Sequence, residues 1–278
     1  MGLLWAMCVL WYVAPVSAEQ VEVYYTRGLY RLILAVIAPV TGAVPFSIIL
    51  VMIALGPPAF VVLWTAHWVY RRRVLKVPHW RGLVWGFKWM LVLIPVLWLW
   101  FLLFWGIGYQ RMPIEARLDL DDEMVSDEEL ARIEAGLLTI IERDQPTNAS
   151  DRDVARAVAS VADAMNRLVE EWEGRRIRIP RRVKATPPGL LLMNGTSGIC
   201  VPFTLEPHVD GGLPDTAFVA VAAHELGHIA GVCDEGETNL IGYIAGLRAD
   251  DPYARYAVAL GVYRSVAGQR GPAQSSRV

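Results

Sequence analysis

The chain has 278 residues, 54% of them hydrophobic, with 26 basic against 28 acidic side chains for a formal charge of −2. Its mean hydropathy is +0.35. Such a composition excludes a disordered or fibrous chain and is more apolar than an ordinary soluble domain of this size.

The apolar excess is uneven. Residues 1–110 hold eight basic and two acidic side chains, a local charge of +6, whereas residues 111–278 hold 18 basic and 26 acidic, a local charge of −8. This predicts a greasy N-terminal half followed by a water-soluble domain long enough to bury its own core. An acidic domain without a long basic patch argues against a nucleic-acid partner.

In chain order, residues 1–18 are apolar but short and end in Val16, Ser17 and Ala18, which suits either a signal peptide or a first transmembrane helix. Residues 21–38 set Glu22, Arg27 and Arg31 among Tyr24, Tyr25, Leu29, Tyr30, Leu32 and Ile33, predicting an amphipathic helix lying on the outer face of a bilayer. Residues 47–69 contain no charged side chain in 23 positions, and 89–108 none in 20. Spanning takes about 20 apolar residues, because a helix rises ~1.5 Å per residue against a hydrocarbon core of ~30 Å. Pro57 and Pro58 predict a kink in the first span. Trp80, Trp85, Trp89 and Tyr109 flank the second as interfacial aromatics do. The connection, 70–88, carries Arg71, Arg72, Arg73, Lys76, Arg81 and Lys88. That charge bias places it in the cytoplasm and everything after residue 108 outside.

The soluble domain, 109–267, reads as helices around a short sheet. Ser126 and Glu129 form a capping box that opens a helix to about residue 143, with Leu130, Ile133, Leu137, Ile140 and Ile141 at helical spacing. Ser150 with Asp153 repeats that logic for a second helix to about Trp172. Six basic residues in 175–184 read first as a solvated bend, and second as a contact with anionic lipid or an acidic substrate. Residues 189–193 and 199–205 are strand-like, and Pro202 suits an edge strand. A fully buried helix follows from Asp215, its cap, to the stop at Gly231. Asp234 caps the next helix through Leu247. A last helix covers about 253–266, and 268–278 is a loose tail.

The chemistry lies in His224-Glu225-Leu226-Gly227-His228. Histidines four apart on a helix stack one turn above another, about 6 Å along the axis, so both imidazoles can face one metal ion. Glu225 lies on the adjacent edge, placed to take a proton from water rather than to ligate. A catalytic zinc takes three protein ligands and keeps an open position. Asp234, Glu235 and Glu237 follow closely. Glu235 is the preferred third ligand, with Asp234 and then Glu237 behind it, and Asn239, one turn on, can support a histidine. Cys200 and Cys233 flank the proposed cleft as a disulfide or as two separate thiols, and Cys8 lies in the first apolar segment.

Several stretches carry a family resemblance: VEVYYTRGLY at 21–30, Pro45 to Ser47, WGIGY at 105–109, GICVPFT at 198–204, HELGH at 224–228 with Gly231, EGETN at 235–239, and Arg255 with Tyr256. Through them the chain resembles DUF3810, a bacterial membrane family with a zincin-type metallopeptidase signature. The pattern from Glu235 to Asn239 is also similar to the second-helix motif of membrane-tethered gluzincins, which moves the third ligand toward Glu235. Gly236 and Cys200 depart from the family's acidic and aromatic tendencies. The resemblance implies two or three N-terminal transmembrane helices followed by a mainly helical α+β zincin-like extracytoplasmic domain in the bacterial inner membrane. The implied activity is zinc-dependent hydrolysis of peptide or protein substrates, with His224, His228 and Glu235 as metal ligands and Glu225 as general base. Tyr256 is a candidate transition-state donor, although a buried aromatic is the plainer reading. Arg255 pairs with an acid near the metal, or with Asp250 or Asp251. Glu206 and His208 read as loop residues. A non-proteolytic zinc hydrolase of envelope material and an inactive scaffold are the alternatives.

Overall fold

The computed structural model describes residues 1–13, 16–76, 78–120, 125–174 and 176–269. The N-terminal half begins with α1 (Gly2–Val13) and the short α2 (Ala18–Gln20), capped by Ser17. A π-helical stretch, Val21–Leu29, then runs directly into α3 (Tyr30–Ala43). Two long helices follow, α4 (Ile48–Arg73) and α5 (His79–Phe104). Both are long and apolar enough to cross a membrane, and the most apolar 18 residues of α4 include none that is buried. Exposed apolar faces of this extent mark contact with lipid or another apolar partner rather than a place in a soluble core.

α4 runs through Pro57 and Pro58 without a break. α5 departs from its expected span, starting ten residues before Trp89 and ending at Phe104, after which Gly106–Gln110 forms a tighter 3-10 turn. Absence of charge marks a lipid-compatible stretch and not the helix ends, since Arg81 and Lys88 are as comfortable in helical backbone as leucine. α1 lies against α5, where the Trp5 indole N–H donates to the Leu91 carbonyl at 2.9 Å. Pro95 accounts for that contact. It has no N–H to offer the carbonyl four residues earlier, and the indole supplies the missing donor.

The segment expected to lie on the bilayer surface is instead built into the domain. Val21, Glu22, Tyr25, Thr26, Tyr30 and Leu34 are all buried. Its charges can be buried because they are paired. Glu22 accepts from Arg111 at 2.6 Å and from Arg27 at 2.9 Å, Arg111 also binds Glu173 at 2.5 Å, and Arg31 pairs with Glu173 as well. Burial alone would raise the Glu22 carboxyl, but the Arg111 guanidinium bonded to it holds it down at about 2.

After α6 (Ile114–Leu118) come α7 (Asp127–Asp144) and α8 (Val154–Glu173). The Ser126–Glu129 capping box is present. Asp153, and not Ser150, caps α8 by accepting from the Arg156 N–H at 3.0 Å, so that helix starts three residues later than expected. Part of the acidic 119–123 loop and the tail from residue 270 lie outside the described residues.

The sheet has order β1-β3-β2, from β1 (Lys184–Thr186), β2 (Gly198–Val201) and β3 (Glu206–Asp210), with β1 parallel and β2 antiparallel to β3. β2 is an edge strand that ends before Pro202. Residues 189–193 are not a strand. Asp210, fully buried, accepts from the N–H groups of Gly189, Leu191, Leu192 and Gly212 and folds that segment into a turn. The basic run ends in β1, with Arg176 on Glu170 and Arg181 on Asp163. All five residues of β3 are buried, which Glu206 and His208 manage through partners. Glu206 pairs with Lys184 and accepts from the Ile48 and Ile49 N–H groups at 3.1 and 3.2 Å, while His208 Nε2 meets Ser47 Oγ at 2.7 Å. A carboxylate is thus seated at the N-terminus of α4, where the helix dipole favours it, and the first membrane-length helix is tied to the sheet.

α9 (Asp215–Ile229), α10 (Glu235–Leu247) and α11 (Pro252–Gln269) complete the chain. α9 is the central element, packed by α8, α10, α11, β2 and β3. Val219, Ala222, Ala223, Leu226 and Ile229 are wholly buried. Its cap position is Pro214, with Asp215 as the first helical residue, and Gly231 with φ +93° ends it. α9 and α10 cross at glycines. A Cβ on Gly242 would meet the Ala223 carbonyl oxygen at 2.9 Å, and one on Gly227 would meet Ile241 and Thr238 methyls at 3.0 Å.

Gly242→Ala pushes against backbone rather than a side-chain tip, so it is expected to cost about 1–3 kcal/mol as an overpacked contact. A lowered midpoint in thermal unfolding of the detergent-solubilised protein is the readout, and an unchanged midpoint would show that the helices part freely. Glu206→Gln leaves Lys184 buried without its counter-charge, a loss of about 3–5 kcal/mol. Burial would raise the Glu206 carboxyl, but Lys184 and the Ile48 N–H lower it on balance. Its contribution is therefore present above the ordinary carboxylate pKa and fades as pH falls through the lowered folded value, an acid dependence that the Gln variant should lack.

Candidate metal centre

The α9–α10 crossing sets the first turn of α10 against the last turns of α9. Asp234 caps α10 by accepting from the Glu237 N–H at 3.0 Å, which fixes where the helix begins. Glu235 is then its first residue, and its carboxylate lies 3.1 Å from His224 Nε2 and 3.7 Å from His228 Nε2. One ligand atom from each of the three falls within 4.8 Å of the others. The other two acids are committed elsewhere. Asp234 is the cap, and Glu237 accepts from the Ile114 N–H at 2.9 Å and from Arg117 at 2.6 Å.

Second contacts orient both rings. His228 Nδ1 lies 2.8 Å from the Val232 carbonyl, which can only accept, so Nδ1 carries the proton and the Nε2 lone pair faces the cluster. His224 Nδ1 meets Asn239 Oδ1 at 2.8 Å, the support expected of that residue. Thr238 Oγ1 stands beside His228 Nδ1 at 3.2 Å and also donates to the Asp234 carbonyl. Burial pulls the His228 pKa down and favours the neutral ring. Two imidazole lone pairs and a carboxylate therefore converge on one point, an arrangement that a cation relieves. The donor set of two nitrogens and one oxygen suits a zinc-sized ion.

Glu225 sits beside the cluster, 4% exposed, and its Oε2 has no hydrogen-bond partner. Burial first, and the Glu235 charge second, push its carboxyl up to about 8. A buried carboxyl with that pKa, opening on a cleft, can exchange a proton near neutrality. Gly198 makes room for it, since a Cβ there would fall 2.3 Å from Glu225 Oε1.

These groups line one cleft of about 770 Å³, walled by β2 residues Gly198, Ile199 and Cys200 and by Tyr243 of α10. Phe101, Trp105 and Tyr109, from the end of α5 and the turn after it, supply another wall. The Trp105 ring packs on the His228 ring with centroids 5.3 Å apart.

Tyr256 is not brought to this cleft. It stacks on Tyr253 in a separate hollow with Asp215 and Arg152, so the expected donor role has no geometric basis. Arg255 binds Asp144 at 2.7 Å rather than an acid near the cluster or the side chains of Asp250 and Asp251. Cys200 and Cys233 are free, buried thiols, not a disulfide, and burial raises the pKa of both. Tyr243 escaped the sequence reading, although it continues the four-residue spacing of Glu235 and Asn239. Trp105 and Gly198 reach the site from other elements and leave no local signal.

The DUF3810 family model, described as a protein of unknown function, matches residues 25–276. No curated protein and no solved structure matches the chain. Because the matched region takes in the π-helical segment, both long apolar helices and the whole cleft, the chain belongs to the DUF3810 family.

Proposed function

We propose that this chain is a membrane-anchored zinc-dependent peptidase. The observation that carries the reading is the convergence of His224 Nε2, His228 Nε2 and the Glu235 carboxylate within 4.8 Å, beside a buried Glu225 oxygen with no partner. His224, His228 and Glu235 would hold the ion. Zinc, when bound, supplies Lewis acidity that polarises a carbonyl and makes water a stronger acid. Glu225 takes the proton from the attacking water and returns it to the leaving amine. Asn239 and the Val232 carbonyl fix the imidazole tautomers, so both Nε2 atoms stay available as ligands. β2 pairs with β3 on one side only, and its cleft-facing edge offers backbone groups to an extended peptide. α4 and α5 anchor the enzyme in the bacterial inner membrane. The basic connection between them stays in the cytoplasm, and the cleft faces the extracytoplasmic side.

Metal analysis of detergent-purified protein tests the reading. Wild type should hold one zinc per chain, which His228→Ala and Glu235→Ala lose, and Asn239→Ala should bind it about 10–100-fold more weakly. Glu225→Gln should keep the metal while proteolysis falls about 10²–10⁴-fold. A metal-free wild type, or full activity in Glu225→Gln, would overturn the assignment.

A further inference from the structure

We infer that the substrate is itself a membrane-anchored polypeptide, cut in the few residues next to the bilayer. This deepens the peptidase reading and rests on it. The observation is that the cleft is not confined to the soluble domain: Phe101 and Trp105 belong to the end of a membrane-length helix and its cap, and both line it. Trp105 is 6% exposed because its ring lies on His228. Tyr109, on the same rim, is 63% exposed. Trp and Tyr just past an apolar span sit at the level of the lipid headgroups. One aromatic ring thus separates the His224, His228 and Glu235 cluster from the edge of the membrane. An extended chain advances ~3.3 Å per residue, so a scissile bond about 10 Å from the hydrocarbon lies roughly three residues from the end of its own anchor.

The cleft cannot lift away from that position. Tyr25 Oη donates to the Leu103 carbonyl at 3.0 Å, the Cys233 thiol contacts the Trp105 carbonyl at 3.6 Å, and Arg111 reaches the Gly231 carbonyl at 3.3 Å. Gly108 packs directly on Cys233, with room for no Cβ. The chain leaving α5 is therefore part of the floor of the domain and not a tether. The free edge of β2 along the same cleft selects an extended backbone over a lipid acyl chain as the occupant.

The full chain in proteoliposomes tests this against one randomised twelve-residue peptide library presented in three ways. The library is offered free in solution, fused directly to an apolar membrane helix, or fused to that helix through a Gly/Ser spacer of about 30 residues. The spacer keeps the surface density and moves the library off the membrane. Directly fused peptides should be cut at least about tenfold faster than spaced ones, with cuts clustered beside the anchor, a difference that tethering alone does not produce. A second readout needs no catalysis: Glu225→Gln protein carrying a photoreactive amino acid in place of Tyr109 should crosslink the directly fused peptide and not the spaced one. Equal cutting of the spaced or free library overturns this inference and leaves the peptidase standing. Anchor-dependent crosslinking without cutting by the wild type supports the membrane-adjacent occupant and overturns the peptidase. Neither crosslinking nor cutting, or release of lipid products alone, overturns both.

Discussion

The site depends on how closely two helices approach. His224 and His228 are fixed by the turn of α9, but the carboxylate that faces them comes from another helix, and its distance is set by the crossing at Gly227 and Gly242. With the Gly242 Cα against the Ala223 carbonyl, the α10 backbone lies as near α9 as atoms permit. A residue at the start of α10 then reaches both imidazoles. The Asp234 cap decides which one, because it starts the helix at Glu235 and turns Glu237 toward Arg117. Shape and capping together choose one acid among three adjacent candidates.

The second constraint is the junction between the long apolar helices and the polar domain. It is made from buried charge. Glu22, Arg111, Glu173 and Arg31 join the π-helical segment to α8 and to the chain leaving α5, while Glu206, Lys184, His208 and Ser47 join the sheet to the start of α4. Such networks contribute little net stability over an apolar packing of the same volume, yet breaking one is severe because it strands a desolvated charge. Their effect is to specify a single orientation of the domain relative to the helices. For a cleft whose wall includes Trp105, that orientation is part of the site.

What could be read from the sequence was what is local. The HELGH spacing, the Asp234 cap, the Ser126–Glu129 box and the two charge-free runs each express a rule that acts within a few residues, and each has its counterpart in the structure. Asn239 was within reach of the same logic, one turn beyond Glu235. β3 was not, since EPHVD looks like a polar loop until Lys184, 22 positions away, and Ser47, 161 positions away, neutralise its buried groups. The π-helical segment failed for the same reason, as its charges suggested a wet face and long-range pairing removed it. Tyr256 was misplaced by the reverse error, in which proximity in a motif stood in for proximity in space.

Electrostatics explains why the fold tolerates an incomplete set of partners at this one place. Glu225 keeps a buried oxygen unsatisfied, and the two histidines direct lone pairs at a carboxylate. An unmet buried polar group costs about 1–3 kcal/mol, and folded proteins rarely keep one without use for it. Elsewhere the described residues meet buried charge with charge, as at Glu22 and Glu206. Here the neighbours that would satisfy Glu225 are withheld: Gly198 presents no side chain, and Val221 presents only a methyl near it. A carboxyl kept near a pKa of 8 by burial and by Glu235 is suited to handling protons at neutral pH, and a hydrogen-bonded one would not be. Stability given up around Glu225 is the same quantity that makes it a usable base.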